Sequence, residues 1–157
     1  MQKITPFLWF DGNAEEATHF YTSIFKNAEI LSISHYSEGG PMPKGTVMTT
    51  KFRLDGQEFV ALNGGPQFPF TPAVSFVVDC DSQEEVDYYW EHLSQGGTPN
   101  QCGWLQDRYG LSWQIVPRIL IQYINDPDPV IAQRVMNAML QMGKIDIALI
   151  KQAYEQR

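Results

Sequence analysis

The chain has 157 residues, of which 43% are hydrophobic and 18% are charged, the composition of a folded domain with its own core. The net charge is −7 and lysine and arginine form no dense patch, which argues against nucleic-acid binding. No segment approaches the ~20 apolar residues of a membrane-spanning helix, and the first residues lack the pattern of a secretory signal, so we expect a cytoplasmic protein.

A short apolar strand near the start of the chain leads into a predicted helix. Asn13 is a favourable N-cap, and Glu15 and Glu16 fall in the first turn, where the helix dipole stabilises carboxylates. Apolar residues then recur at helical spacing, at Ala17, Phe20, Tyr21 and Ile24. Three strands are predicted next, at Glu29–Tyr36, Thr46–Leu54 and Glu58–Asn63. Between the last two, Asp55-Gly56 is a strong signal for a hairpin turn.

The same order of elements returns 69 positions later, where segment 76–86 lines up with segment 7–17 without a gap. Ser82 takes the place of Asn13 as the N-cap, and Gly96-Gly97 ends the second helix. The apolar positions of this helix are Val86, Tyr89, Trp90 and Leu93. Shorter strands are predicted at Thr98–Gln101, Trp104–Gln106 and Ser112–Val116, with a turn at Tyr109-Gly110.

The last forty or so residues lie outside the repeat and carry signals for two helices. Asp126-Pro-Asp-Pro129 is typical of a helix start, and Asp146 can cap another helix after Gly143 interrupts the first. We expect these helices to cover a sheet of this chain or of a partner. The sequence therefore predicts one α+β domain with three parts: a βαβββ module at 1–70, a second at 71–117 and a helical extension at 118–157.

The two cysteines, Cys80 and Cys102, are too few for a disulfide framework and form no C-x-x-C pair. We expect two reduced thiols, because a catalytic cysteine would lack any supporting motif. The histidines His19, His35 and His92 contain no pair at i, i+4 spacing, and we interpret them as structural.

Three motifs resemble the PhnB-like branch of the vicinal oxygen chelate superfamily, to which glyoxalases and bleomycin-resistance proteins belong. They are Leu8–Ala17, Leu62–Pro66 and Cys102–Pro117, and the tail from Arg134–Met139 through Lys144–Ile147 is also similar. The resemblance implies paired modules whose curled mixed sheets form a cup for a small ligand, and it implies a homodimer. Members are often described as 3-demethylubiquinone-9 3-methyltransferases.

A methyltransferase of the common type needs a glycine-rich turn between a strand and a helix, so that backbone N–H groups can approach the cofactor. The glycine pairs of this chain, Gly39-Gly40, Gly64-Gly65 and Gly96-Gly97, form no such turn. We therefore predict that the protein uses no cofactor and rank the methyltransferase activity third among the functions.

In metal-using relatives the resemblance implies four ligands, on the first and last strand of each module. The first-strand position falls on Thr5, with Val74 as its counterpart, and the last-strand position falls on Gln114, with Val60 or Leu62 as its counterpart. Of these side chains only Gln114 could bind a metal, and weakly. Glu58 shares the strand face of Val60 and could partly rescue the site, but we predict no catalytic metal.

Strand alternation places Thr5, Phe7 and Trp9 on one face, and the metal-ligand correspondence of Thr5 assigns that face to the cup. The other face, with Leu8, Phe10, Val77 and Trp113, is predicted to pack under the helices, with Trp104 and Tyr109 at the rim. The predicted ligand-binding residues are Thr5, Phe7, Trp9, Glu58, Val60, Leu62, Phe76, Trp104 and Gln114. This lining suits an apolar, planar ligand that Gln114, Glu58 or Thr5 would orient.

The leading prediction is a metal-independent, homodimeric protein that binds a small apolar or aromatic molecule, for example to sequester a drug-like compound. The alternative is an enzyme, a lyase, isomerase or dioxygenase-like catalyst, that uses the same cup. Its candidate general base is Glu58, if an apolar cup desolvates the carboxylate. Arg108 is interpreted as an exposed turn residue that could attract an anion. A structural role with the C-terminal helices as the interaction surface stays open.

Overall fold

The computed structural model describes residues 2–156, and the chain divides into two compact units, one that reaches Phe70 and one that begins at Thr71. Each unit contains a four-stranded mixed sheet and follows the order βαβββ. The α+β architecture of two repeated modules, predicted from the internal repeat, is confirmed.

The first unit consists of β1 (Phe7–Phe10), α1 (Ala14–Ile24), β2 (Glu29–His35), β3 (Val47–Leu54) and β4 (Gln57–Asn63). Its strands lie in the order β1-β4-β3-β2, with β1 parallel to β4 and the other pairs antiparallel. The turn between β3 and β4 has positive φ at both Asp55 (48°) and Gly56 (84°), as the predicted hairpin requires.

Helix α1 packs against one face of this sheet, to which every second side chain of β1, β3 and β4 belongs. Leu8, Phe52 and Phe59 are buried on this side. The rings of Phe52 and Phe59 stack with centroids 5.5 Å apart, and Tyr21 of the helix lies 6.2 Å from Phe52. Stacked aromatic rings under α1 are therefore part of the core of the first unit.

The start of α1 is capped by the sheet and not by its own N-cap side chain. Asn13 occupies the N-cap position but its side chain makes no capping hydrogen bond, contrary to the prediction. Instead, Oδ1 of Asn63 at the end of β4 accepts a hydrogen bond of 2.9 Å from the backbone N–H of Ala14. The buried Asn63 amide also donates to the carbonyl of Val47 at 3.0 Å, so it joins helix and sheet.

The second unit begins with β5 (Ser75–Cys80), α2 (Gln83–Ser94), β6 (Thr98–Pro99), β7 (Trp104–Gln106) and β8 (Ser112–Pro117). Its strand order, β5-β8-β7-β6, repeats that of the first unit. Ser82 caps α2 as predicted, because its hydroxyl accepts a hydrogen bond of 3.2 Å from the N–H of Glu85. After the helix, Gly96 has a φ of 76°, which supports the predicted glycine C-cap.

The two modules differ by one residue between the first strand and the helix, so the ungapped repeat is wrong for the strands. Asp11 and Gly12 separate β1 from Asn13, but Asp81 alone separates β5 from Ser82. The 69-residue offset holds for the helices, whereas the first strands, β1 and β5, correspond at an offset of 70. A slip of one residue in a strand transfers every side chain to the other face of the sheet.

Three helices follow β8: α3 (Arg118–Ile124), α4 (Pro129–Leu140) and α5 (Ile147–Glu155). The two predicted starts are confirmed, since Asp128 accepts a hydrogen bond from the N–H of Val130 at 2.9 Å and Asp146 from that of Leu149 at 3.2 Å. The prediction missed α3, because this helix follows Pro117 directly and has no capping side chain to announce it.

The helical extension packs on the end of β8 and is fastened to α2. Its core consists of Val116, Leu120, Val135, Ile145 and Ile150. The carboxamide of Gln83 donates to the carbonyl of Ile145 at 3.0 Å and accepts from the N–H of Ile147 at 2.8 Å. Lys144 pairs with Asp87 at 2.8 Å and, with Gln83, lowers the pKa of that carboxyl by hydrogen bonding. These contacts make the extension part of the second unit.

The longest helices among residues 2–156, α2 and α4, have 12 residues each, which is too few to cross a membrane.

Candidate functional site

The sheet of the first unit has a second face, opposite α1, on which aromatic, aliphatic and charged side chains lie side by side. We call it face 1. The strand register assigns to it Phe7, Trp9, Thr49, Lys51, Arg53, Glu58, Val60 and Leu62. Phe7 is 60% exposed, an unusual state for a phenylalanine in a strand.

The register arranges face 1 in rows across the strands, with neighbouring strands roughly 4.8 Å apart. One row contains Phe7, Val60 and Lys51. The next row places Trp9 beside Leu62, and both side chains are partly buried. In these two rows the β1 and β4 residues are therefore apolar, while β3 and the neighbouring row of Glu58 present polar and charged groups.

Trp9 is held in place by the loop that follows β4. Its indole Nε1 donates a hydrogen bond of 2.8 Å to the carbonyl of Gly65, and the ring of Phe68 meets it edge-on at 4.9 Å. A Cβ on Gly64 would lie 2.4 Å from the indole ring, so only glycine allows this approach. The motif Leu62–Pro66 thus fixes one aromatic of face 1.

Glu58 lies beside charged and polar groups, and not in the apolar setting expected for a desolvated base. Its side chain is 32% exposed, and Oε2 is 3.9 Å from Nζ of Lys51. The Gln2 carboxamide holds the Glu58 backbone, donating to its carbonyl at 3.0 Å and accepting from its N–H at 3.1 Å. The same amide lies 3.5 Å from Oγ1 of Thr5, which precedes β1.

The corresponding surface of the second unit, face 2, is more polar. The register assigns to it Ser75, Val77, Trp104, Gln106, Ser112 and Gln114. Nε2 of Gln114 donates a hydrogen bond of 2.9 Å to Oγ of Ser75, and Trp104 lies directly opposite Gln114. The structure therefore brings the predicted residues Trp104 and Gln114 together.

The predicted faces of Phe76 and Val77 are wrong. Phe76 is paired with Trp113, and the two rings are 5.7 Å apart on the helix side of the sheet. Val77 is paired with Gln114 and is 53% exposed on face 2. The physical reason is the extra residue in the β1–α1 connection, which makes Val77, and not Phe76, the counterpart of Phe7.

Asp107 organises the turn into β8 and was not identified from the sequence. Its buried carboxylate accepts hydrogen bonds from the N–H groups of Tyr109 at 2.8 Å and Leu111 at 3.1 Å, and from the indole of Trp113 at 2.9 Å. Arg108 beside it is exposed, but its Nε donates to the carbonyl of Gln95 at 3.2 Å. The Arg108 side chain therefore stabilises the loop that follows α2.

Ser112, the first residue of β8, is 1% exposed. No protein atom among the described residues forms a hydrogen bond with its Oγ. Because a buried hydroxyl without a partner costs stability, this residue distinguishes face 2 from the hydrogen-bonded hydroxyls of the first unit.

The side chains at the predicted metal positions fit a divalent ion poorly. With the corrected strand offset, the counterpart of Thr5 is Ser75, whose hydroxyl already accepts from Gln114. A hydroxyl, a neutral amide and an aliphatic side chain such as Val60 offer no charged donor. Residues 2–156 contain no group of three or more histidine, cysteine, aspartate or glutamate side chains arranged to hold a metal ion.

Cys80 adds no nucleophile to the two faces. Burial, followed by the nearby carboxylates of Glu85, Asp79 and Asp81, raises the pKa of Cys80 to about 12. Its thiol therefore stays protonated at neutral pH and unreactive. Cys102 lies in the turn before β7, where its N–H donates to the carbonyl of Met142 at 2.8 Å.

Lys51 is the functional candidate that sequence reasoning missed, although a signal for it existed. In β3, Thr49, Lys51 and Arg53 alternate with buried residues. The hairpin turn at Asp55-Gly56 fixes the pairing of β3 with β4, which sets Lys51 opposite Val60.

Comparison with known proteins identifies the family. A family model described as 3-demethylubiquinone-9 3-methyltransferase matches residues 2–116. A solved structure described as a putative 3-demethylubiquinone-9 3-methyltransferase, PhnB protein, from Bacillus cereus is 45% identical, with a TM-score of 0.68. The alignment covers 74% of this chain and 99% of that one. No curated protein matches the sequence.

More distant structures share the fold. A Pseudomonas aeruginosa protein is 20% identical with a TM-score of 0.62, covering 74% of this chain and 98% of its own. The fosfomycin resistance protein FosX from Listeria monocytogenes is 18% identical with a TM-score of 0.53, covering 74% and 93%. FosX is also described in complex with manganese(II) and sulfate, at 20% identity, a TM-score of 0.51 and coverages of 73% and 92%.

The family match ends at Val116, before α3, so the resemblance of the tail stays a prediction. The matched region contains both βαβββ modules and all of the residues assigned to faces 1 and 2. The chain therefore belongs to the PhnB-like family, whose model is described as 3-demethylubiquinone-9 3-methyltransferase.

Proposed function

We propose that this protein binds a small apolar or aromatic molecule on face 1 without a metal ion. The observation that carries the proposal is the row of Phe7 and Val60 beside Trp9 and Leu62, on the sheet face that α1 does not use. Phe7 remains 60% exposed there. Ligand sites are typically apolar and aromatic, with a few polar groups at their edge, and face 1 has this composition.

The residue types at the positions of family metal ligands support binding without a metal. Thr5, Val60 and Gln114 are neutral, and the Gln114 amide is hydrogen-bonded to Ser75. We further propose a homodimer in the cytoplasm, in which modules 1–70 and 71–117 and the extension 118–157 act as one domain. The family resemblance supports the dimer, and two cysteines outside any disulfide support a reducing compartment.

An enzyme that uses the same residues is the second candidate. The ion pair of Glu58 with Lys51 favours it, because a carboxylate next to an ammonium at the edge of an apolar face can move a proton. The methyltransferase activity in the family description ranks third, since glycine pairs such as Gly64-Gly65 serve side-chain packing in this fold.

The proposal is tested with N-phenyl-1-naphthylamine, a neutral aromatic fluorophore that brightens in apolar sites. We expect saturable binding to the wild type and an affinity loss of about tenfold in Phe7→Ala, because that variant removes one large aromatic contact. Val130→Ala is the matched control, since Val130 is 65% exposed on α4 and not on face 1. Equal affinities for wild type and Phe7→Ala would contradict binding at face 1.

A further inference from the structure

We infer that the ligand of face 1 is an aromatic anion, whose ring system covers the apolar half of the face and whose negative group binds Lys51. This inference rests on the proposed function and adds the chemical class of the ligand. A carboxylate, sulfonate or phosphonate on an aromatic or extended apolar body would satisfy it.

The position of Lys51 is the first observation. It lies directly opposite Val60, which in turn pairs with Phe7, so all three share one row of the sheet. Its side chain is 46% exposed. A lysine stem can lie along apolar neighbours and keep its ammonium at the edge, where the polar end of a ligand bound on Phe7 and Val60 would meet it.

The pairing of the charges on face 1 is the second observation. Arg53 lies between Glu29 and Glu58 in the next row and forms an ion pair with Glu29. Glu29, Arg53 and Glu58 therefore lie in one row. In the neighbouring row, which contains Phe7 and Val60, the charged residue is Lys51. An ionic group that enters with an apolar body therefore meets a cation first, which selects an anion over a cation.

The weakness of the existing Lys51 contact is the third observation. Nζ of Lys51 is 3.9 Å from Oε2 of Glu58, beyond the roughly 2.7–3.2 Å of a hydrogen bond. Both side chains are partly exposed, at 46% and 32%, and such ion pairs contribute little to stability. A ligand anion can thus replace Glu58 at small cost, whereas the ion-paired Arg53 is less available.

The test uses two fluorophores that share one ring system and differ in charge. They are 8-anilinonaphthalene-1-sulfonate, an anion, and the neutral N-phenyl-1-naphthylamine. We expect Lys51→Met to weaken sulfonate binding about tenfold, the loss of one charge-assisted hydrogen bond, and to change neutral binding less than about twofold. Lys51→Arg should keep most of the sulfonate affinity. Lys151→Met, at an exposed position of α5, is the matched control and should change neither affinity.

Glu58→Gln supplies a second variant with the opposite expected sign. Removal of the competing carboxylate should tighten sulfonate binding severalfold relative to neutral binding, an effect that a merely structural role of Lys51 and Glu58 would not produce. If neither probe binds saturably, or Phe7→Ala leaves both affinities unchanged, the proposed function fails. If both probes bind through Phe7 and Lys51→Met leaves the ratio of their affinities unchanged, the inference of an anionic ligand is overturned.

Discussion

The two sheets have the same strand order, but faces 1 and 2 carry different chemistry. At corresponding strand positions, Phe7 and Val60 of face 1 are replaced by Val77 and Gln114 on face 2. The helix sides stay alike, since Ala17 and Val86 are both fully buried at matching helix positions, and Phe59 and Trp113 are both buried at matching strand positions. Packing under the helix therefore specifies the module, while the opposite face is free to differ.

The turn before β4 and the turn before β8 are stabilised by different interactions. We expect the difference to produce the largest change in the free energy of unfolding. Asp107→Ala leaves two backbone N–H groups and the Trp113 indole without their acceptor, and should lower the free energy of unfolding by about 3 kcal/mol. Asp55→Ala in the first unit should cost about 1 kcal/mol, because that turn depends on a φ of 48° and its side chain is exposed. Urea unfolding followed by circular dichroism measures both. Equal losses would contradict the distinction.

Gly64→Ala should disturb face 1 and not face 2. The added Cβ would lie 2.4 Å from the Trp9 ring, so we expect a loss of about 2 kcal/mol in unfolding free energy and weaker binding of N-phenyl-1-naphthylamine. Gly143→Ala is the matched control, because its Cβ would meet Asn100 at an ordinary distance of 3.5 Å. A neutral Gly64→Ala would show that the position of Trp9 is not set by this contact.

Removal of a buried hydroxyl should change the free energy of unfolding in opposite directions in the two units. Ser112→Ala removes a hydroxyl that has no partner among the described residues and should raise the free energy of unfolding by about 1 kcal/mol. Thr50→Val in the first unit removes a hydroxyl that is hydrogen-bonded to Thr18, and should lower it. Thermal unfolding of the two variants and the wild type measures both changes. A destabilised Ser112→Ala would mean that this hydroxyl has a partner in solution.

Cys80 should add a small pH dependence to the second unit. Its pKa rises from 9.0 to about 12 on folding, mainly through burial, so the unfolded chain loses the thiol proton first as the pH rises. The stabilising contribution is therefore complete below pH 9 and is lost progressively between pH 9 and 12, by less than about 1 kcal/mol at pH 9.5. Unfolding of wild type and Cys80→Ala should diverge in pH dependence over that window. Parallel curves would contradict a buried, protonated thiol.

Sequence patterns predicted the fold to within one or two residues at most strand ends, because alternation, helix caps and the Asp55-Gly56 turn are local signals. They failed where the cause is not local. The cap of α1 comes from Asn63, 49 positions away, and no local pattern announces it. The face of Phe76 was wrong because one loop residue, Gly12, interrupts the repeat. Most of face 1 could be predicted from the sequence, since Phe7 and Trp9 share it with Val60 and Leu62 as the strand alternation indicated.

The charged residue of the candidate site was the hardest part to predict from the sequence. Lys51 lies in β3, where polar and apolar residues alternate in the ordinary way. Its role depends on the residue that lies opposite it in β4, which is Val60.

One titration tests whether face 1 binds its ligand without a metal ion. The affinity of N-phenyl-1-naphthylamine is measured after exhaustive treatment with EDTA, and again with excess manganese(II). We expect equal affinities within about twofold, because neutral residues such as Thr5, Val60 and Gln114 offer no ion site that binding on face 1 would need. An affinity that is lost with EDTA and restored by manganese(II) would contradict the account and place the enzyme hypothesis first.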